Sequence, residues 1–287
     1  MSNNSGFNLE SMMVPTKAAT VYAAQESSLY LPGGIVPMEN VPAGSTVLQV
    51  PKLAKAADVE TDSKASPYAN DDFTAKALND DVVNIPVTLY ARRTILRDIG
   101  GVNPASIGRQ LGNAVAQQFD RSITGLFTGF TSNSAIVGSG TSNALTVNDL
   151  IDAVQTLRAN EVMGSVHAVL HPFQIGSLIK EINTSAYAGS EVQNAAMRSG
   201  FVGTLNGINI YSSAFVSETT DTDKLFNGLV FGEEAMRIAM SKNIELEGAR
   251  RAESVGFDLV ASLAAGVGIV DNTSGILVKS TGKTVEV

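Results

Sequence analysis

The sequence predicts an α+β fold, and three observations carry that expectation. Helical and strand-like patterns are interleaved without a repeating βα unit or any internal repeat. Hydrophobic residues make up 44% of the chain and charged residues 17%, a composition that can pack a core. At 287 residues and 30.0 kDa the chain is near the size that one core supports, as one compact unit or one with a large insertion.

The first forty residues carry no sustained period, and Pro15, Pro32, Gly33, Gly34, Pro37 and Pro42 interrupt any element that begins there. Such a segment reads as an arm ordered by what it lies on, or as a disordered tail. Thr46–Leu53 is a short strand, and Val82–Leu96 is a second strand region rich in β-branched residues. Pro51 and Pro86 cannot donate to a ladder, so these strands fit an edge or a two-stranded ribbon. Between them, residues 56–81 hold seven acids and two bases, a net −5. A stretch so charged reads as a long protruding hairpin suited to lying on a partner.

The strongest helical pattern follows. Asn103 suits an N-cap and Pro104 a first turn. Ile107, Leu111, Val115, Phe119, Ile123, Phe127 and Phe130 then recur every three or four positions, while Gln110, Asn113, Gln117, Asp120, Arg121 and Thr124 occupy the other faces. A helix from Pro104 to Phe130 would span about 40 Å and act as a spine. Residues 131–143 form a loop. Thr146 with Asp149 resembles a capping box ahead of a helix through Leu150, Val154 and Leu157. Val166–Leu170 reads as a strand, Pro172 opens a further helix, and residues 189–199 suggest another. Leu205–Tyr211 contains an Asn-Gly turn leading into a strand. Leu225–Phe231 and Ile238–Leu246 read as strands or short mixed pieces, and strand-like runs at Phe257–Val270 and Gly275–Val278 close the chain.

Composition and motifs exclude several chemistries. Without cysteine there is no disulfide, thiolate metal site or cysteine nucleophile. A net charge of −8 argues against a protein that coats nucleic acid tightly. The longest apolar run, Leu259–Val270, is shorter than the roughly 20 residues of a membrane span. The first ten residues have neither a basic nor an apolar targeting region, so secretion is not expected. His167 and His171 share the spacing of a helical metal pair, but on an extended segment they stand about 13 Å apart and serve as structural residues. Gly282-Lys283-Thr284 lacks the earlier glycine and the following helix of a phosphate loop. Gly266 and Gly268 lack a third glycine and a helix, and read as a bulge or a close packing contact. No catalytic, cofactor-binding or metal-ligating residue is assigned.

One charge pattern remains. Arg92, Arg93, Arg97 and Arg109, against Asp98 alone, give residues 91–109 a net +3 beside the −5 hairpin. These are either two solvated surfaces, or Asp58, Glu60, Asp62, Asp71 and Asp72 of one copy dock on the basic stretch of a neighbour.

The order of these parts resembles the major capsid protein of tailed bacteriophages, with the Hong Kong 97-type fold. The resemblance rests on NIPVTLYARRTILRDIG leading into NPASIGRQLGNAVAQQFDRSITGLF, then VHAVLHPFQIGSLIKEI, VGTLNGINIYSSAFV and LVFGEEAMRIAM. It implies an N-terminal arm over residues 1–40 and an extended loop over 41–88. A peripheral domain would comprise 89–138, with the spine helix, together with return strands over 236–287. An axial domain would occupy 139–235. It further implies a virion protein that self-assembles from hexameric and pentameric capsomers into an icosahedral head shell. That shell would enclose a double-stranded DNA genome without sequence-specific binding and would form in the host cytoplasm. Portal and scaffolding proteins would be its partners, with a cement or decoration protein as an optional addition, and no membrane or cofactor is implied. There is no room for an N-terminal scaffolding domain, which implies a separate scaffold or prior removal. Some relatives crosslink a loop lysine to a neighbour's asparagine; Lys52, Lys55, Lys64 and Lys76 lie in that region without an assigned role. The alternatives are an encapsulin-type nanocompartment shell, which shares the fold, and, remotely, a small α/β enzyme.

Overall fold

The computed structural model describes residues 9–32, 34–53, 80–97, 104–184, 203–205, 207–219, 224–251, 253 and 256–281. The expected helix at 189–199, the Gly282-Lys283-Thr284 tail and Asn103 lie outside these, as do most of the acidic hairpin and Asp98.

The chain opens with helix α1 (Leu9–Ser27), followed by β1 (Met38–Asn40), β2 (Val47–Leu53), β3 (Asp80–Pro86) and β4 (Thr88–Arg97). Helix α2 (Pro104–Gly125), β5 (Ile136–Val137), α3 (Val147–Ala159), β6 (Val166–Leu170) and α4 (Pro172–Thr184) make up the middle. Strands β7 (Thr204–Leu205), β8 (Ile208–Ser212), β9 (Leu225–Gly232), β10 (Met236–Arg251), β11 (Gly256–Ile269) and β12 (Gly275–Thr281) complete it. The interleaved α+β organisation expected from the sequence is therefore present.

Two sheets and a ribbon organise these elements. The first sheet has the order β1-β10-β11-β4, with β1 parallel to β10 and the other pairs antiparallel. The second has the order β5-β12-β9-β6-β8-β7 and is mixed. The ribbon is β2 paired antiparallel with β3, and it holds both Pro51 and Pro86 as their missing donors require. Strand β12 pairs with β9 and β5, so the end of the described chain belongs to the second sheet, not to β10 and β11.

Alternation along the strands of the second sheet explains how it joins the two halves. Val166, Ala168, Leu170, Val230, Ile276 and Val278 face a core built with α3 and α4. Val169, Leu229, Phe231 and Leu277 face the opposite core, which runs on to α2 and the first sheet. Both faces are covered, which is why β6 is buried at all five positions. Capping of α3 follows its sequence: Thr146 accepts from Asp149 N–H, and the Asp149 carboxylate accepts from Thr146 N–H.

Three features differ from the sequence expectation. Residues 9–27 form a helix, with Pro15 in its second turn, where the N-terminal segment was read as irregular. The spine helix ends at Gly125 and passes through a single 3₁₀ turn at Phe127–Gly129, so its 22 residues span about 33 Å. Asp120 and Thr124, assigned by periodicity to outer faces, are 2% and 1% exposed. The first and, at Asp120, the third share a cause, whereas Thr124 is covered from the other side and donates to the Phe215 carbonyl oxygen. Helix α1 packs along α2, so α2 is buried on two sides and its apolar stripe alone understates its covered surface. The contact is close because α2 presents glycines there. A Cβ on Gly112 would lie 2.3 Å from the Thr20 carbonyl oxygen, and one on Gly108 2.7 Å from that of Thr16.

Candidate assembly surfaces

The ribbon is fixed at its base. Leu48, Val50 and Ile85 are buried against Ala239. Gly266 lets β11 approach the ribbon so closely that a Cβ there would lie 2.2 Å from the Pro86 carbonyl oxygen, and Gly268 makes room for Ile85. The close-packing role expected of these glycines is therefore realised. Lys52 pairs with Asp271 at 3.0 Å. Burial of Asp271 raises its pKa, but donation from Ser274, Lys52 and Thr273 outweighs that and brings it down to about 2. The ribbon therefore leaves the body on a pinned stem. Asp58, Glu60, Asp62, Asp71 and Asp72 belong to the hairpin beyond that stem and lie outside the described residues.

Strand alternation separates the basic residues. Arg92 lines a groove of about 330 Å³ between β4 and α2, together with Leu89, Tyr90, Val115 and Gln118. Arg93 points to the other face of the sheet and holds Asp258 in a bidentate pair, with Nε 2.8 Å and 2.9 Å from its two oxygens. That hydrogen bonding lowers the pKa of Asp258. Arg109 is exposed on the second turn of α2. The backbone of Arg97 ends β4, and its side chain lies outside the described residues. Arg92 and Arg93 are thus adjacent in sequence but do not share one face. Leu89 (66% exposed) and Ile95 add exposed apolar surface along β4.

The sequence missed the junction between the arm and the spine. Asp120 accepts from the Ser28 hydroxyl at 2.6 Å and from Leu29 N–H at 2.9 Å. The Ser28 oxygen in turn accepts from the amides of Tyr30 and Leu31. Desolvation raises the Asp120 pKa to about 6 even though these donors oppose it. Tyr30 is fully buried beside it, and burial, with the Asp120 charge, pushes the phenol well above its ordinary value. An acidic residue directly after Phe119, within a helix pattern, was the only local signal of this junction.

The histidines are structural. His167 is buried between Tyr211 and Phe231, and desolvation lowers its pKa. His171 stacks on Phe226 at 3.9 Å, and its Nδ1 accepts from Phe173 N–H. Among the described residues no cluster of three or more His, Asp or Glu side chains could hold a metal ion.

Comparison with known proteins gives this architecture its class. A family model described as phage capsid protein matches residues 88–278, more than half the chain, from the start of β4 almost to the end of β12. The protein belongs to the phage capsid protein family. Solved structures agree on the fold. The capsid of cyanophage P-SCSP1u has a TM-score of 0.65 at 17% identity and covers 87% of each chain. The capsid of Ralstonia phage GP4 has a TM-score of 0.67 at 11% identity and covers 91% of this chain and 93% of that one. A virus-like particle from Pyrococcus furiosus has a TM-score of 0.66 at 11% identity and covers 92% and 98%. Comparison with curated protein sequences finds no match. The fold is the Hong Kong 97-type capsid fold expected from the sequence, the protein is a major capsid shell protein, and the family match does not favour the nanocompartment alternative.

Proposed function

We propose that this protein is the repeating subunit of the icosahedral head of a tailed bacteriophage, forming hexameric and pentameric capsomers around double-stranded DNA. The observation that carries the proposal is the family match across β4–β12, which takes in both sheets. In this reading residues 1–40 are the arm and 41–88 the extended loop. Residues 89–138 with 236–287 form the peripheral domain, except that β12 is hydrogen-bonded into the sheet of the axial domain (139–235). The role is structural and involves no turnover. A net charge of −8 suits a container that does not grip its contents, so DNA is enclosed without sequence-specific binding. A scaffolding protein and a portal complete assembly in the host cytoplasm, and a decoration protein is compatible with the shell.

The acidic hairpin supplies the lacing: Asp58, Glu60, Asp62, Asp71 and Asp72 lie across a neighbour's basic stretch at Arg92, Arg97 and Arg109, while Arg93, on the other face of the sheet, stays paired with Asp258. Leu53 and Asp80 are paired across the ribbon, so residues 54–79 can be replaced by an Asn-Gly turn that closes the hairpin. This variant is expected to keep its circular dichroism spectrum and melt cooperatively, yet form no closed particles by electron microscopy. Intact shells from it would refute the lacing role.

A further inference from the structure

The first sheet has two long edges, and they differ. On the β10 side, β1 covers Ile238–Met240, the register against β11 slips at Met240–Lys242 and again at Lys242–Glu245, and Lys242 holds Glu245 and Glu247. Pairing, irregular register and lysine all blunt an edge. Strand β4 has none of these three. Its ten residues run against β11 in unbroken register, without proline or lysine, and among the described residues no strand pairs with its outer side. Every second residue there turns its amide N–H and carbonyl away from β11. An edge this long and regular is a template for another chain, and the isolated subunit gains nothing by leaving it open.

Helix α2 makes the edge into a slot. Leu89, Tyr90, Ala91 and Arg92, with Ala114 and Gln118, line a groove of about 330 Å³. Extended peptides add to such edges through main-chain hydrogen bonds, and their alternate side chains give specificity. The two faces of β4 offer those side chains different surroundings. On the α2 face the Tyr90 hydroxyl meets that of Ser122 at 3.0 Å, whereas Arg92 is exposed and has no hydrogen-bond or ion-pair partner among the described residues. On the other face Leu89 and Ile95 are 66% and 42% exposed, on either side of Arg93, which Asp258 already holds. An entering strand thus meets a free cation on one side and apolar surface on the other.

One stretch of this chain has the matching pattern. Asp58-Val59-Glu60-Thr61-Asp62 alternates acids with β-branched residues, so in extended form its carboxylates share one face and Val59 and Thr61 the other. Asp71 and Asp72 are adjacent and have no such alternation. The ribbon leaves from the Thr88 end of β4, and its far pair, Leu53 and Asp80, is six positions or about 20 Å further out, so residues beyond it are carried away from the edge of their own copy. We propose that residues 58–62 of a neighbouring copy add to β4 as a fifth strand of the first sheet, with the acids on the Arg92 side and Val59 and Thr61 on the side of Leu89 and Ile95. This inference rests on the shell-subunit reading and its lacing hairpin, and makes the contact a main-chain ladder of fixed register in place of a meeting of charges alone.

The absence of native cysteine allows disulfide mapping of the contact. Full-length protein with Ala91→Cys or Ile95→Cys is combined in turn with Asp58→Cys, Val59→Cys, Glu60→Cys, Thr61→Cys or Asp62→Cys. Assembled particles are mildly oxidised and run on a denaturing gel. Ala91 and Ile95 share one face of β4, so linked oligomers from Val59→Cys and Thr61→Cys should exceed those from the three acid positions at least fivefold. No linkage, equal linkage at all five positions, the reverse preference, or linkage within single chains overturns the added strand. If the cysteine variants do not assemble, proline decides. Val59→Pro and Glu60→Pro remove amides on opposite sides of a strand, so one should lower particle yield at least tenfold and the other, like Glu60→Ala, less than threefold. Equal yields from the two proline variants reject the ladder. Closed particles from the turn variant lacking residues 54–79 would refute the lacing reading itself, whereas failure of that variant beside an unpatterned cysteine scan overturns the strand alone.

Discussion

Asp120 shows how one buried carboxylate ties the arm to the spine and makes that tie depend on pH. Its folded pKa is about 6, against 3.8 for an unperturbed aspartate, so the native state binds this proton more tightly than the unfolded chain. The associated stability is complete below about pH 4 and is lost as pH rises through 6. A shift of about two pH units corresponds to roughly 3 kcal/mol. Urea unfolding at pH 4.5 and 7 should therefore show wild-type stability falling more steeply with pH than that of Asp120→Asn. Parallel slopes would show that Asp120 does not titrate in this window. Asp271 behaves in the opposite sense. With its pKa brought down to about 2, its stabilisation is present above about pH 4 and disappears on further acidification, so the two windows do not overlap. The charged residues were legible in the sequence, but their faces were not. Alternation along β4 sends Arg92 to the α2 groove and Arg93 to Asp258, a division that a count of charges cannot reveal.

At the scale of elements, the α1–α2 contact is made by glycines. Gly112→Val should force the helices apart at an expected cost of about 1–3 kcal/mol and speed proteolysis within residues 9–36. Gly125→Ala, which meets nothing within 4 Å, is the control. Equal protease resistance in both variants would mean that the arm is held elsewhere. The α3 capping box offers a second test. Asp149 is buried and also accepts from Ser139 N–H, so Asp149→Ala should cost about 1–2 kcal/mol in chemical unfolding. Elements with local signals were legible: the capping box of α3, the Pro172 start of α4, the proline-bearing ribbon, and the turn at Gly207 before β8, whose Asn206 lies outside the described residues. Helix α1 was not, because its apolar residues encircle the cylinder and Pro15 sits inside it. Its stability comes from the groove that Gly108 and Gly112 open on a partner ninety residues away in sequence.

Across the whole molecule, one hydrophobic core runs from Phe119 and Phe127 on the spine to Leu229 and Phe231 in the second sheet, and to Leu259 and Leu263 in the first. The two sheets should therefore unfold together. Phe231→Ala removes a nearly fully buried ring and should lower a single cooperative transition by about 3–5 kcal/mol, followed by near- and far-ultraviolet circular dichroism. A variant that melts in two separated steps would show that the sheets are independent. The order of parts was readable along the chain, but the sheet each strand joins was not. Strand β12 has the same apolar pattern whether it extends the first sheet or, as here, lies between β5 and β9.

Only Val87 separates β3 from β4, so the outgoing limb of the ribbon continues directly into a strand bonded to β11 over ten residues. The hydrogen bonds of an antiparallel ladder run across the strands. Tension applied along the limb therefore loads those bonds side by side in shear and does not peel them open one at a time. A shell under pressure from within would be pulling on each of its members along the direction in which the ladder yields last.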